Sequence, residues 1–136
     1  MKSPTQVELV WTHELVFDGR SGDTMLTLDS SSAEGPSPMQ TLAFALAGCM
    51  AMDVVHILKK GRYDLRGLKV DLIAQRAQEQ PHRFTDVTLQ YVVTGEVPAE
   101  PIQRAIDLSR AKYCSVWHSL RQDIGLTVTF TVAPGV

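Results

Sequence analysis

Excess charge of either sign is missing from this sequence. Thirteen Lys and Arg stand against 15 Asp and Glu, and the net charge of −2 offers no basic face for nucleic acid or an anionic membrane. Cysteine is scarce as well, with only Cys49 and Cys114 in 136 residues. So few exclude the disulfide scaffold of small secreted domains, and a chain of this length buries enough surface to fold without one. No apolar stretch reaches bilayer length. The longest apolar run, Leu42 to Met52, has eleven residues and suits a buried core helix. Repeats and low-complexity tails are absent, and the polar start Met1–Gln6 leads into no sustained apolar leader. A soluble, cytoplasmic, single-domain protein over residues 1–136 is expected, with neither nucleic acid nor membrane as partner.

What is present reads as alternating strands and a few helices. "VELVWTHELVF" (7–17) is strand-like, "FDGRSGD" has two glycines and predicts a hairpin turn, and "TMLTLD" predicts a returning strand. After the Ser/Gly/Pro loop "SSSAEGPSPMQ", Ser37 is an N-cap, Pro38 the first helical residue and Gln40 the third position of a capping box. The helix this starts is predicted to reach Lys60, with Lys59 and Lys60 at its negative end and Gly61 as its stop. Between Leu42 and Met52 it is apolar all round apart from Gly48, the pattern of a helix enclosed on every side. One small domain cannot surround a helix so fully, so a second subunit is expected over part of it.

Two period-2 segments follow, with Leu68, Val70, Leu72 and Ala74 on one face, then Val87, Leu89, Tyr91 and Val93. "IQRAIDLSRAK" repeats its apolar positions at helical spacing. "YCSVWHSLRQDIG" predicts a short helix closed by Gly125, and "LTVTFTV" a final strand. The fold class is α+β, mostly antiparallel.

In a reducing cytosol two cysteines point to reactivity or metal binding more than to a staple, although free cysteine also packs well as a small hydrophobe. Cys49 sits about three turns into its helix, beyond help from the helix N-terminus. Any activation of its thiol must come from a cation brought by another segment, with Arg20 the first candidate. Cys114 falls just before a short helix, where N–H groups point outward. Cys49 with His56 and Cys114 with His118 are spaced to share helix faces, but the pattern matches no zinc motif, and no metal is expected. His13 and His82 are read as surface residues.

The stretches "GPSPMQTLAFALAGCMAMDVVHILKK" and "LSRAKYCSVWHSL" resemble the OsmC/Ohr family of thiol-dependent hydroperoxide reductases, closer to its OsmC-like branch than to Ohr proper. The resemblance covers nearly the whole chain. It implies an OsmC-like fold of antiparallel sheets around a long buried central helix, in an intertwined homodimer with its active sites at the interface. It assigns Cys49 as the peroxidatic cysteine, which becomes a sulfenic acid, and Cys114 as the resolving cysteine, which condenses with it. Arg20 matches the arginine that keeps the buried thiolate charged. Met39, Gln40, Met52 and Asp53 are the candidates for the substrate pocket. Organic hydroperoxides, a dithiol reductant such as a lipoyl group, and no cofactor complete the implied chemistry.

The sequence departs from that family at one position. The family's peroxidases carry a glutamate directly after the helix-start proline, where it orients the arginine. Met39 stands there in this chain and accepts no charged hydrogen bond. Gln40, Glu34 and Asp53 are the candidates to replace it. The alternative is a binding or carrier protein on the same scaffold, holding a lipid-like or sulfur-containing small molecule without peroxidase activity.

Overall fold

A computed structural model describes residues 2–134. The chain gathers into two compact units, one up to Leu42 and one from Ala43. In the first, strands β1 (Glu8–His13), β2 (Val16–Ser21) and β3 (Thr24–Asp29) form an antiparallel three-stranded sheet in that order. The glycine-flanked segment expected as a turn is mostly strand. Asp18, Gly19 and Arg20 lie in the middle of β2, and the turn is pushed out to Gly22, whose φ of 58° only glycine adopts freely. Asp29 closes β3, and its carboxylate accepts the N–H groups of Ser31, Ala33 and Glu34. Those bonds, that of Glu34 foremost, hold its carboxyl below the usual range.

Helix α1 (Pro38–Lys60) begins with the expected capping box. Ser37 Oγ accepts from the Gln40 N–H at 3.2 Å, while Gln40 Oε1 accepts from the Ser37 N–H at 2.9 Å. Its end differs from expectation. The Tyr63 N–H donates back to the Leu58 carbonyl, and the left-handed residue of that cap is Arg62, at φ 62°, rather than Gly61. Gly61 is needed for space instead, because a Cβ there would meet the Tyr63 ring at 2.8 Å.

In the second unit, β4 (Asp64–Arg76) pairs antiparallel with β5 (Phe84–Glu96), and β6 (Gly125–Ala133) lies on the other side of β5, parallel to it. The sheet is therefore mixed, in a fold expected to be mostly antiparallel, and the parallel pair corrects the antiparallel sheets that the resemblance implied. The connection from β5 to β6 runs through helices, the kind of crossover a parallel pair requires. Cross-strand rows match the predicted alternation: Val70, Tyr91 and Phe130 lie side by side, as do Leu72, Leu89 and Val128. The crossover holds α2 (Ala99–Leu108), a π-helical segment (Ser109–Tyr113) and the single turn α3 (Ser115–His118). Gly125 does not close a helix. It opens β6, where a Cβ would come within 2.6 Å of Asp86 Oδ1.

The core of this unit is the inner face of β5 with Ile102, Ala105 and Ile106 of α2 and one stripe of α1: Leu46, Met50, Val54 and Leu58. That stripe repeats every four residues, so α1 buries one side and not its whole circumference. Phe44 and Met52, within the run expected to be enclosed, are 70% and 73% exposed. By length and composition alone the full helix is apolar enough to cross a membrane, because Val54, Val55, Ile57 and Leu58 extend the run. Its buried stripe and the hydrogen bond that Asp53 accepts from Ser109 fit a core helix instead.

A left-handed residue with a side chain costs about 1–2 kcal/mol relative to glycine. Arg62→Gly is therefore expected to raise unfolding stability by about 1 kcal/mol, read as a shift of the urea midpoint at unchanged slope.

Candidate active site

Four segments of the second unit converge on one buried spot. Helix α1 presents Cys49 and Asp53 four residues apart, hence on one face, flanked by the fully buried Met50 and Val54. The π-helical segment presents Ser109, which has no exposed surface. Its wider turn is closed by the Cys114 N–H donating to the Ser109 carbonyl at 2.8 Å, five residues back. Cys114 then leaves the helix in an extended conformation and caps α3, its sulfur accepting the Trp117 N–H at 3.3 Å. Strand β5 presents the buried Tyr91, close enough for Cys114 and Asp53 to act on its phenol.

The distances define the site. Ser109 Oγ donates to Asp53 Oδ2 at 2.7 Å. The sulfurs of Cys49 and Cys114 and a carboxylate oxygen of Asp53 lie within 4.8 Å of one another. Both cysteines are free thiols; Cys114 is fully buried, and Cys49 is partly open to solvent. Burial pushes the Cys114 thiol up to about 11, with Cys49 and Asp53 adding to the rise and the Trp117 N–H opposing it. Burial likewise pushes the Tyr91 phenol up, helped by the nearby Cys114 and Asp53. The Tyr91 hydroxyl has no hydrogen-bond partner among the described residues.

Such an arrangement suits dithiol chemistry with an asymmetric pair. Cys49 is the sulfur a molecule from solvent meets first. Cys114, held neutral and enclosed, waits behind it. As donors, the two thiols and Asp53 also make the set nearest to a metal-binding triad among the described residues. Histidine is not part of it, and His118 Nε2 lies 3.0 Å from the Arg110 carbonyl oxygen instead.

Of the other residues singled out from sequence, Arg20, Met39 and Gln40 belong to the first unit. Arg20 is exposed in the N-terminal sheet, its Nη2 3.7 Å from Glu8 Oε2, beside an apolar groove of about 280 Å³ lined by Leu9, Met25 and Leu26. Within the first unit neither Gln40 nor Glu34 orients it: Gln40 caps α1 and accepts from Ser32 Oγ, and Glu34 pairs with His13; Asp53, in the second unit, accepts from Ser109. Glu8, opposite Arg20 in the β1–β2 register, went unnoticed because pairing register is invisible before the hairpin is known. An ion pair this exposed adds little stability. Met39 is half-buried in the first turn of α1, and Met52 faces a separate groove of about 480 Å³ with Val55, Leu68 and Val70. Ser109 and Tyr91 were not anticipated. Their signal was a hydroxyl at each of two core-facing positions, where an apolar residue is the rule.

Cys114 is expected to resist alkylation. In the Cys49→Ser variant its iodoacetamide rate should stay well below that of a free thiol at neutral pH. It should rise about tenfold per pH unit, since the reactive thiolate fraction grows until pH passes the thiol's raised value.

The family model described as "OsmC-like protein" matches residues 30–129. Protein YhfA of Escherichia coli K12 is 38% identical over 130 residues, spanning 93% of this chain and 97% of its own. The crystal structure of a hypothetical protein from Aquifex aeolicus VF5 superposes with a TM-score of 0.91 at 27% identity, covering 99% of this chain and 100% of that one. A protein from Legionella pneumophila, described as an organic hydroperoxide resistance protein OsmC, shares the fold at a TM-score of 0.71 and 14% identity, over 96% and 98% of the two chains. With the α+β fold and the matched segment both in hand, the chain belongs to the OsmC-like protein family.

Proposed function

We propose that the protein is a cytoplasmic, single-domain, homodimeric thiol peroxidase that reduces organic hydroperoxides through Cys49 and Cys114, without a cofactor. The observation that carries this reading is the approach of the two sulfurs to within 4.8 Å, one partly open to solvent and one enclosed. The Cys49 thiolate attacks the peroxide O–O bond, giving a sulfenic acid on Cys49 and releasing an alcohol. The Cys114 thiol then displaces the sulfenic oxygen as water and forms the disulfide. A dithiol reductant returns both thiols by exchange.

Apolar surroundings suit an organic peroxide and shield the sulfenic acid from further oxidation. The same surroundings disfavour a thiolate, so a cation is required, and Arg20 is the residue proposed, with Glu8 in the role of its acidic partner. A homodimer is supported by the apolar surface each unit leaves open. Phe44 and Met52 stand out from α1, and Val7, Leu9, Trp11 and Met25 from the N-terminal sheet, more than scattered single exposure explains.

One equivalent of cumene hydroperoxide is expected to remove two thiols per chain within seconds, and none rapidly from Cys49→Ser, as read by thiol titration. Two thiols left intact after minutes would contradict the reading and favour a carrier role for the same scaffold.

A further inference from the structure

The proposed chemistry leaves a proton without a route. Condensation requires Cys114 to lose a proton and the sulfenic oxygen of Cys49 to gain one before it leaves as water. Both events occur in a site where Cys114 has no exposed surface. Water does not reach that sulfur to carry the proton. Burial, moreover, keeps the Cys114 thiol protonated up to about 11.

One group near both sulfurs is built to move a proton. We infer that Asp53 is the proton-transfer residue of the condensation step, taking the Cys114 proton and delivering it to the oxygen leaving Cys49. Its carboxylate lies within 4.8 Å of both sulfurs. An oxygen added to Cys49 is carried on a sulfur that lies within 4.8 Å of the carboxylate. Ser109 donates to Oδ2 and tethers the carboxylate at that oxygen, leaving the other for the exchange. Tyr91 adds an independent sign that a polar group belongs here. Its hydroxyl is buried and has no partner among the described residues, a costly state for an isolated side chain but suited to an oxygen that arrives only during the reaction.

The step balances without an outside reagent. Cys49–S–OH and Cys114–SH give Cys49–S–S–Cys114 and water. The S–O bond breaks, the S–S bond forms, the Cys114 sulfur is oxidised and the Cys49 sulfur reduced. The proton passes from Cys114 through Asp53 to the departing oxygen. The inference rests on the peroxidase reading.

Its test follows sulfenic acid and disulfide separately in wild type and Asp53→Asn after one equivalent of cumene hydroperoxide, with dimedone trapping the sulfenic acid for mass detection. In the variant, Cys49 should still be oxidised, but disulfide should form about 100-fold more slowly, the usual worth of a positioned acid–base group, with dimedone captured on Cys49. A pH profile separates proton transfer from mere positioning. The wild-type rate should be nearly flat from about pH 7 to 9, whereas the variant's should climb about tenfold per unit, because condensation then depends on the small Cys114 thiolate fraction, which grows with pH below the thiol's raised value. The titrating groups facing the site are Cys49 on α1, Cys114 at the start of α3 and Tyr91 on β5, and Tyr91 stays neutral throughout this range. Asp53→Glu should recover part of the rate. Ser109→Ala, which keeps the carboxylate but frees it, should slow condensation about tenfold, and it decides the matter if Asp53→Asn does not fold. Condensation at the wild-type rate and pH profile in these variants would overturn the inference alone. Wild-type thiols that never react would overturn the peroxidase reading with it.

Discussion

A hydrogen bond of 2.7 Å from Ser109 to Asp53 joins helix α1 to the turn that carries the second cysteine. Much of the site depends on it. Asp53 lies one turn beyond Cys49 on α1, and Ser109 opens the π-helical segment that ends just before Cys114, so this contact sets the distance between the two thiols. Ser109 is fully buried and Asp53 half-buried, and leaving the enclosed hydroxyl unpaired would cost about 1–3 kcal/mol. Few other contacts in a hydrophobic core have that directional stiffness. Methionine and leucine beside them fill space and tolerate rotation, whereas a carboxylate held by a hydroxyl does not.

Local electrostatics then divide the labour between the cysteines. Neither gains from a long helix's N-terminus: Cys49 is too deep in α1, and α3 is a single turn. The Trp117 N–H favours a charged Cys114 sulfur, but burial outweighs it, and the neighbouring Cys49 and Asp53 push the same way as burial. An enclosed, neutral thiol next to a more accessible one is the arrangement expected of a resolving group behind an attacking one. The widened π turn contributes by closing from Cys114 back to Ser109, so that hydroxyl and sulfur both face α1 across a single helical irregularity.

Where local rules act alone, the sequence was legible. Ser37, Pro38 and Gln40 predict the start of α1 because capping needs only four consecutive residues, and the bonds are there. Alternation in Leu68–Ala74 and Val87–Val93 predicts the sheet's inner face because period 2 is the geometry of a strand. Where two distant segments decide, it was not. The parallel pairing of β6 depends on how the crossover returns the chain, and the partner of Arg20 on a register set by the hairpin. Asp53 was visible as a polar break in an apolar helix, but its link to Ser109 spans 56 residues and has no local signature. The π turn has none either, since "LSRAK" continues a helical pattern without interruption.

Everything in this account converges on one covalent event, a bond between two sulfurs of the same chain. The measurement that tests it most directly is a peptide map, by mass spectrometry without reduction, of protein treated with one equivalent of an organic hydroperoxide. The account predicts a single cross-link joining the Cys49 and Cys114 peptides within each chain. Cys49 recovered as a sulfinic acid beside an unreacted Cys114 thiol would contradict it.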